Sequence, residues 1–299
     1  MVELLGLHMP EIKSGDDLSR LIYETSRKEY GGLKEYDIIA ITSKVVSKSK
    51  SYIININSLK PSQKAIEISN KSSMDSKWIE LLLRESDDIL AVLPVKEFFN
   101  RNILNLKNYA YNIEDARQVL DKYPYLFLTR RSGLIWTDSG IDSSNVPDDL
   151  YAIPPKDPDF EAETIWKSLS DIAGKKIAIV ICDTEVSLNG ASLDRAIGCY
   201  GIKPIDSGFG KHDIYGKPKY GGVDNIADEI CSSAALILKQ TDESIPAIII
   251  RGLKYEFSDK GLKYYRLDSE KAMEAVKLIV TRTGMILGYD KFLKFLKLL

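Results

Sequence analysis

Lys176–Glu185 reads KIAIVICDTE, and this stretch decides the expected fold. Its apolar part is short, rich in β-branched residues and without polar alternation, which is typical of a strand buried on both faces of a sheet. A strand over Lys176–Cys182 places Asp183 and Thr184 directly after its end. Because sites in α/β sheets commonly lie at strand ends, we expect these two side chains to face a ligand.

A second apolar run ends in the same way. Ser132–Asn145 reads SGLIWTDSGIDSSN, in which a hairpin strand over Gly133–Trp136 precedes Asp138 and Asp142. Carboxylates from two loops, together with a hydroxyl and few histidines or cysteines, are the ligands that a hard cation such as Mg²⁺ or Mn²⁺ prefers. Either loop alone is explained as readily by turn formation, which favours Asp, Ser and Gly. The two loops together favour a metal site.

Two further segments place polar residues beside predicted strands. Tyr36–Ile41 (YDIIAI) runs into Thr42–Lys48 (TSKVVSK), whose lysines and hydroxyls suit a phosphate, although a solvated turn explains them as well. This segment lacks the glycine cradle of a P-loop. Lys239–Ser244 (KQTDES) connects a predicted helix, Val223–Leu238, to a predicted strand, Ile245–Arg251. A helix C-terminus repels anions, so a phosphate there would need its own cation, and an ordinary connecting loop is the alternative.

Composition excludes several classes of protein. The 299 residues carry a net charge of −2, so we expect no nucleic-acid partner. With only His8 and His212, the chain is not expected to hold a multi-histidine metal centre. The three cysteines match neither the spacing of a zinc site nor a disulfide framework, which predicts a reducing, cytoplasmic location. No apolar run reaches the ~20 residues that span a bilayer, and no signal peptide or membrane partner is expected.

Two segments bear on domain organisation. Tyr151–Phe160 (YAIPPKDPDF) is rich in proline, which predicts an irregular linker and a subdomain boundary near residues 151–160. Residues 96–123 are polar and rich in Asn and Tyr, which predicts an insertion that contains one helix over Ile113–Leu120.

Taken in order, short segments of the chain resemble the coenzyme F420-0:γ-glutamyl ligase family. The matching pieces are Met9–Leu18 (MPEIKSGDDL), Ile41–Lys48 (ITSKVVSK), Gly140–Val146 (GIDSSNV), Cys182–Thr184, Ala196–Gly198, Asp213–Gly216, Ala227–Ile230 and Ile245–Gly252. Each piece is short, and their joint order carries the resemblance. It implies one ligase-like domain over residues 1–299, of α+β class, with mixed sheets, flanking helices, two intertwined subdomains and an intertwined homodimer.

The resemblance implies a GTP-dependent amide ligase that adds L-glutamate to the lactyl carboxylate of F420-0 through an acyl phosphate, and then adds a γ-linked glutamate. It also implies two sites for Mg²⁺ or Mn²⁺, and K⁺ as a monovalent cofactor. Two alternatives stay open: a paralogous amino-acid ligase with a different anionic carboxylate acceptor, and a nucleotide-binding protein without turnover. After Asp-Thr the family carries a Gly-Arg…Arg stretch, which here is Glu185–Arg195 with Arg195 as its only arginine.

Individual roles follow from the same resemblance. Asp142 and Asp183 would bind the metal that bridges the phosphates and, with Lys48, would be catalytic. Thr184 and Gln240 would serve a second metal. The residues implied to contact GTP are Met9, Pro10, Glu11, Ile12, Ser43, Lys44, Lys48, Asn145, Leu238, Lys239, Gln240, Thr241, Asp242, Glu243, Ser244 and Ile245.

Overall fold

The computed structural model describes residues 1–186, 191–239, 241–267 and 269–290. The chain divides into two units, Met1–Tyr264 and Tyr265–Leu299. The strands are β1 (Glu3–Leu7), β2 (Ile38–Thr42), β3 (Ile53–Asn55), β4 (Asp88–Leu93), β5 (Leu126–Arg131), β6 (Leu134–Thr137), β7 (Leu150–Ala152), β8 (Ala178–Val186), β9 (Ser192–Tyr200) and β10 (Ala247–Arg251). The α-helices are α1 (Leu18–Tyr30), α2 (Ser43–Ser49), α3 (Gln63–Ser72), α4 (Ser76–Glu85), α5 (Val95–Asn100), α6 (Ile113–Lys122), α7 (Pro158–Ala173), α8 (Ile226–Leu238), α9 (Leu262–Tyr265) and α10 (Ser269–Leu287).

A five-stranded sheet in the order β1-β10-β2-β8-β9 organises the first unit. β2 and β8 run parallel, with Ile38 opposite Ala178 and Thr42 opposite Cys182, whereas the other neighbouring strands are antiparallel. The apolar runs of β2, β8 and β10 are buried, as their lack of alternation predicted. The predicted class, mixed sheets with flanking helices, is therefore confirmed.

Helices cover both faces of this sheet, because successive strand residues point to opposite sides. On one face Ile22 of α1 and Ile165 of α7 belong to the same buried cluster as Ile39 and Ile179. On the other face α8 packs with residues such as Ile230 against the alternate positions of the same strands. Each such side chain contributes about 1.5–3 kcal/mol by leaving water, which makes these two clusters the main source of stability.

A smaller antiparallel sheet, β4-β5-β6, carries the second acidic loop. The predicted hairpin is confirmed: Arg131 lies opposite Leu134, and the strands turn at Ser132 and Gly133. Phe127 of β5 packs with α4 in a third buried cluster, whereas Trp136 of β6 joins the cluster beneath the main sheet. β6 therefore connects the small sheet to the main one, close to the loop that follows it.

The proline-rich segment Tyr151–Phe160 is more ordered than its composition predicted. β7 extends to Ala152, and α7 begins at Pro158, where the missing proline N–H costs no helical hydrogen bond. The Asp157 side chain accepts from Phe160 N at 3.2 Å and caps the helix. The prediction of an irregular linker is wrong at both ends of the segment. A subdomain boundary there, and the insertion at residues 96–123, stay predictions.

Cys182 of β8 and Cys231 of α8 form a disulfide, with their Cα atoms 5.4 Å apart. The expectation of no disulfide is wrong because bridging depends on the distance between Cα atoms, which chain packing sets and sequence spacing does not reveal. Cys199 is buried and takes no part in this bridge. With the bridge present, the cysteines no longer argue for a reducing compartment.

In the second unit the described residues form mainly α10, which contains 19 residues. Neither α10 nor any other described helix combines the length and the apolar character that a bilayer crossing requires.

Candidate functional site

A cavity of about 690 Å³ opens where β2 ends, beside β8 and the chain leading into β10. Every described residue to which the family resemblance assigns a role lines this cavity, whereas Gln240 lies outside the described residues. The lining residues from that prediction are Met9, Pro10, Glu11, Ile12, Ser43, Lys44, Lys48, Asp142, Asn145, Asp183, Thr184, Leu238, Lys239, Thr241, Asp242, Glu243, Ser244 and Ile245. Their shared location is established, and their individual roles stay predictions.

The start of α2 joins the two acidic segments. Ser43 Oγ donates to Asp183 Oδ1 at 3.0 Å. The next residue, Lys44, pairs through Nζ with Asp142 Oδ2 at 2.9 Å and also donates to Ser144 Oγ. Two consecutive residues after β2 therefore contact the two aspartates that line the cavity.

Asp183 and Thr184 lie inside β8 rather than after it. β9 continues to pair with β8 beyond the end of β2, so that Asp183 lies opposite Arg195 and Thr184 opposite Asp194. The parallel ladder with β2 ends at Cys182, where the pairing with β9 also shifts register. The predicted strand end is therefore the end of the β2 ladder, and the strand itself continues into a hairpin.

The surroundings of the Asp183 carboxylate favour a bound cation. Its Oδ2 atom is buried and has no hydrogen-bond partner within the described chain. Burial, reinforced by the negative charge of Glu185, raises the pKa of Asp183 to about 7. A cation placed beside Oδ2 would supply the missing interaction and restore the ionised form.

Asp142 and Asp138 follow β6 but occupy different surroundings. Asp142 is held by backbone bonds to Ala152, with N–O distances of 3.0 and 2.8 Å, and its side chain faces the cavity. Asp138 does not line the cavity; its Oδ1 accepts from Phe127 N at 2.7 Å. Burial raises the pKa of Asp138 to about 7. Asp138 therefore supports the hairpin, and only Asp142 of the pair is available to a ligand.

The donors in the cavity suit a magnesium-like ion. Among the described residues, no cluster of three or more His, Cys, Asp or Glu side chains is arranged to enclose a metal. Mg²⁺ commonly takes only one or two protein carboxylates and completes its shell with water and phosphate oxygens. Asp142, Asp183 and the hydroxyl of Thr184 form such an incomplete oxygen set, so the residues present fit an ion that arrives with a phosphate.

The net charge of the cavity lining also favours a bound cation. It contains three lysines, Lys44, Lys48 and Lys239. The acidic side chains outnumber them two to one and are Glu11, Asp142, Asp183, Asp194, Asp242 and Glu243. Because like charges repel, a polyphosphate would bind here only together with additional cations.

Contacts of Lys48 and Asn145 join four segments around the cavity. Lys48 Nζ donates to the backbone oxygen of Asn145 at 3.0 Å and lies 3.6 Å from a carboxylate oxygen of Glu11. Asn145 Nδ2 donates to the backbone oxygen of Thr241 at 3.0 Å. These contacts bring the chain before β10 next to the loop that carries Asp142.

Asp194 is a cavity residue that the sequence analysis missed. Its Oδ1 accepts from Thr184 Oγ1 at 2.7 Å, and burial raises the pKa of Asp194. The Asp194 carboxylate therefore orients the hydroxyl of Thr184 by accepting its proton in a hydrogen bond. Recognising residues 178–200 as a hairpin would have placed Asp194 opposite Thr184, but the polar stretch between the strands concealed the pairing.

Comparison with known proteins shows the family to which the chain belongs. The family model described as F420-0:Gamma-glutamyl ligase matches residues 6–252, a range that includes the whole cavity. A protein of Methanothermobacter thermautotrophicus named Coenzyme F420:L-glutamate ligase is 30% identical over 266 residues, which cover 88% of this chain and 94% of the relative. The protein of that name from Archaeoglobus fulgidus is 29% identical over 88% of this chain and 92% of its own. The one from Methanocaldococcus jannaschii is 28% identical over 90% and 95%. The chain therefore belongs to the F420-0:gamma-glutamyl ligase family and is a ligase that forms carbon–nitrogen bonds.

Proposed function

We propose that this chain is a GTP-dependent and divalent-metal-dependent ligase that adds L-glutamate to the lactyl carboxylate of F420-0, and then a second glutamate through a γ-linkage. The observation that carries the proposal is the meeting of Asp142 and Asp183 in one acidic cavity, each held by a residue at the start of α2. The names of the relatives support glutamate and coenzyme F420 as the substrate classes.

The proposed chemistry has two steps. A carboxylate is a poor electrophile, so an acceptor oxygen first takes the γ-phosphoryl group of GTP, which breaks the γ-phosphorus–oxygen bond and releases GDP. The glutamate amine then attacks the acyl carbon, forms the amide and expels phosphate, and the amine loses a proton. The protein's part in such transfers is mainly positioning and charge screening.

The residues of the chain divide this work. Asp142 and Asp183 would hold the ion between them, with Thr184 and Gln240 serving a second one. Bound Mg²⁺ or Mn²⁺ would neutralise charge on the phosphate oxygens. Lys48, now bonded to a backbone oxygen, would turn its ammonium group to a phosphate.

The remaining contacts of the nucleotide follow the same proposal. Met9–Ile12 and the described residues of the segment 238–245 line the cavity and would wrap the nucleotide. We propose K⁺ as an additional cation there, for which the excess of acidic side chains is the support.

We also propose that two copies form an intertwined homodimer with two intertwined subdomains. The support is kinship together with apolar side chains that the small sheet leaves exposed, such as Leu90, Val92 and Ile135. Light scattering after gel filtration tests this directly, since a monomer at micromolar concentration contradicts it. A cytoplasmic location stays a prediction.

A ligase for a different anionic carboxylate acceptor is the second candidate, and one observation favours it. Arg195, the only arginine of the Glu185–Arg195 stretch, does not line the cavity; its guanidinium donates to Ile135 O. Within the described residues no arginine borders the cavity. Since arginine is the usual bidentate partner of carboxylate and phosphate, the acceptor is held by other means or differs from that of the relatives.

One assay separates these possibilities. Phosphate release from GTP is measured with glutamate present, first with F420-0, then with other carboxylate acceptors, then with none. Turnover with F420-0 that disappears with a chelator and returns with Mn²⁺ supports the main proposal. Turnover only with another acceptor supports the second candidate, and tight GTP binding without product under every acceptor would leave a nucleotide-binding protein without turnover.

A further inference from the structure

We propose that Glu185 and Arg195 are positioning residues that hold the Asp142 segment at a set distance from Asp183, and thereby control metal affinity. This inference rests on the proposed function, because it assumes that both aspartates serve one ion cluster. Neither Glu185 nor Arg195 lines the cavity, so both would act through the residues that do.

Glu185 connects the main sheet to the end of β6. Its side chain is 14% exposed. Its Oε2 accepts two hydrogen bonds from Thr137, from the backbone N at 2.8 Å and from Oγ1 at 2.7 Å. Thr137 is the last residue of β6, and the chain then turns through Asp138–Gly140 to Asp142. Thr137 is therefore one direct connection between β8 and the segment that carries Asp142, in addition to the contacts of Asp142 with Lys44 and Ala152.

Arg195 reinforces this connection from the neighbouring strand. It lies opposite Asp183 in the β8–β9 ladder. Its Nη2 donates to Ile135 O and lies 3.6 Å from Glu185 Oε1. The guanidinium carbon also lies 5.3 Å from the centre of the Trp136 ring. Glu185 and Arg195 together contact three consecutive residues of β6.

The geometry matters because the two aspartates come from different sheets. Asp183 belongs to the five-stranded sheet, whereas Asp142 follows β6 of the three-stranded sheet. Mg²⁺ requires oxygens at about 2.0–2.1 Å in near-octahedral geometry, so a small shift between the sheets would spoil a shared site. Residues that orient metal ligands commonly change metal affinity when they are replaced.

Glu185 and Arg195 each have a polar atom without a hydrogen bond, which argues that the pair does not serve stability alone. Glu185 Oε1 and Arg195 Nε are buried and lack hydrogen-bond partners within the described chain. A buried polar atom without a partner costs about 1–3 kcal/mol. Two apolar side chains would join the sheets without this cost of desolvation. A carboxylate and a guanidinium, by contrast, form directed hydrogen bonds with Thr137 N and Ile135 O.

The chain offers a matched control for this pair. Glu85 of α4 and Arg131 of β5 also form a buried ion pair, with an N–O distance of 3.1 Å. Their side chains are 15% and 5% exposed, and the Arg131 guanidinium donates to Glu85 and to Pro154 O rather than to the end of β6. Glu85→Gln should therefore lower stability about as much as Glu185→Gln without separating the two aspartates.

The experiment measures Mn²⁺ binding by electron paramagnetic resonance, with a non-hydrolysable GTP analogue present, for the full-length protein and its variants. We expect Glu185→Gln to weaken Mn²⁺ binding about 10- to 100-fold and to raise the metal concentration that supports half-maximal turnover. The KM for glutamate should stay unchanged, as should Mn²⁺ binding by Glu85→Gln. Thr137→Val, which keeps the ion pair and removes one donor, should show a smaller loss and provides the test if Glu185→Gln does not fold.

Several outcomes would overturn the inference. One such outcome is that Glu185→Gln or Thr137→Val melts earlier and yet binds Mn²⁺ like the wild type; another is that Glu85→Gln weakens Mn²⁺ binding equally. Either result reduces Glu185 to a structural residue while the proposed function stands. A wild-type protein that binds no Mn²⁺ with the nucleotide analogue removes the proposed function, and this inference with it.

Discussion

Asp183 combines a buried carboxylate oxygen without a hydrogen-bond partner with a position at the cavity wall. We expect Asp183→Asn, and likewise Asp142→Ala, to lower kcat at least ~100-fold, equivalent to ~2.7 kcal/mol of barrier. The metal-free protein should not lose stability in Asp183→Asn, because an unpaired buried charge is removed. Steady-state phosphate release and thermal melting measure the two effects. Normal turnover by a folded variant would contradict the assignment.

Asp138 should make stability depend on pH. Burial raises its pKa from 3.8 to about 7, so the folded protein keeps a proton that the unfolded chain loses. The stability that this group contributes is complete below pH ~4 and is lost as pH rises to about 7, by at most about 4 kcal/mol. Asp138→Asn cannot ionise and should flatten this part of the profile. Urea unfolding across this range measures it, and parallel curves for the variant and the wild type would contradict the prediction.

At the scale of elements, the disulfide ties β8 to α8 beside the cavity. Cys182 and Cys231 are separated by 49 residues, a loop length for which cross-linking is worth about 4 kcal/mol in the chain-entropy model. We expect a reductant to lower the free energy of unfolding of the wild type by about 2–4 kcal/mol. Cys231→Ser should be less stable and should not respond to the reductant, whereas Cys199→Ser should keep the response. A wild type that ignores the reductant would show that the bridge is absent in solution.

Strands were predicted correctly from the sequence where they are buried on both faces of the sheet. Tyr36–Ile41 and Ile245–Arg251 were correctly predicted as strands, because a short unbroken apolar run has few other solutions in a mixed sheet. The continuation of β8 beyond Cys182 was missed. Its polar residues Asp183–Glu185 stay extended because β9 pairs with them, and a pairing between separate segments has no local signal.

At the scale of the whole molecule, one ion pair joins distant parts of the chain. Arg251 at the end of β10 binds Asp37, the residue before β2, through two hydrogen bonds of 3.0 and 2.8 Å, and also donates to Gly32 O. Asp37 is 1% exposed. We expect Asp37→Ala to cost about 3–5 kcal/mol, since it leaves Arg251 without its partner.

Chemical denaturation measures this loss. The surface pair of Glu163 and Lys167 on α7, with side chains 33% and 64% exposed, supplies the control, because surface pairs contribute about 0–1 kcal/mol. A loss in Asp37→Ala no larger than that in Glu163→Ala would contradict the structural role of Arg251.

The sequence by itself determined the class of fold, the buried strands and, through the order of its short motifs, the residues that border the cavity. These properties follow from local composition and from kinship, both of which a linear sequence contains. Tertiary structure alone decided the Cys182–Cys231 bridge, the placement of Asp194 behind Thr184, and the connection of Glu185 to Thr137. Each of these depends on two segments meeting in space, and the free energy that brings them together comes from the packing of the sheets and helices as a whole rather than from the residues that meet.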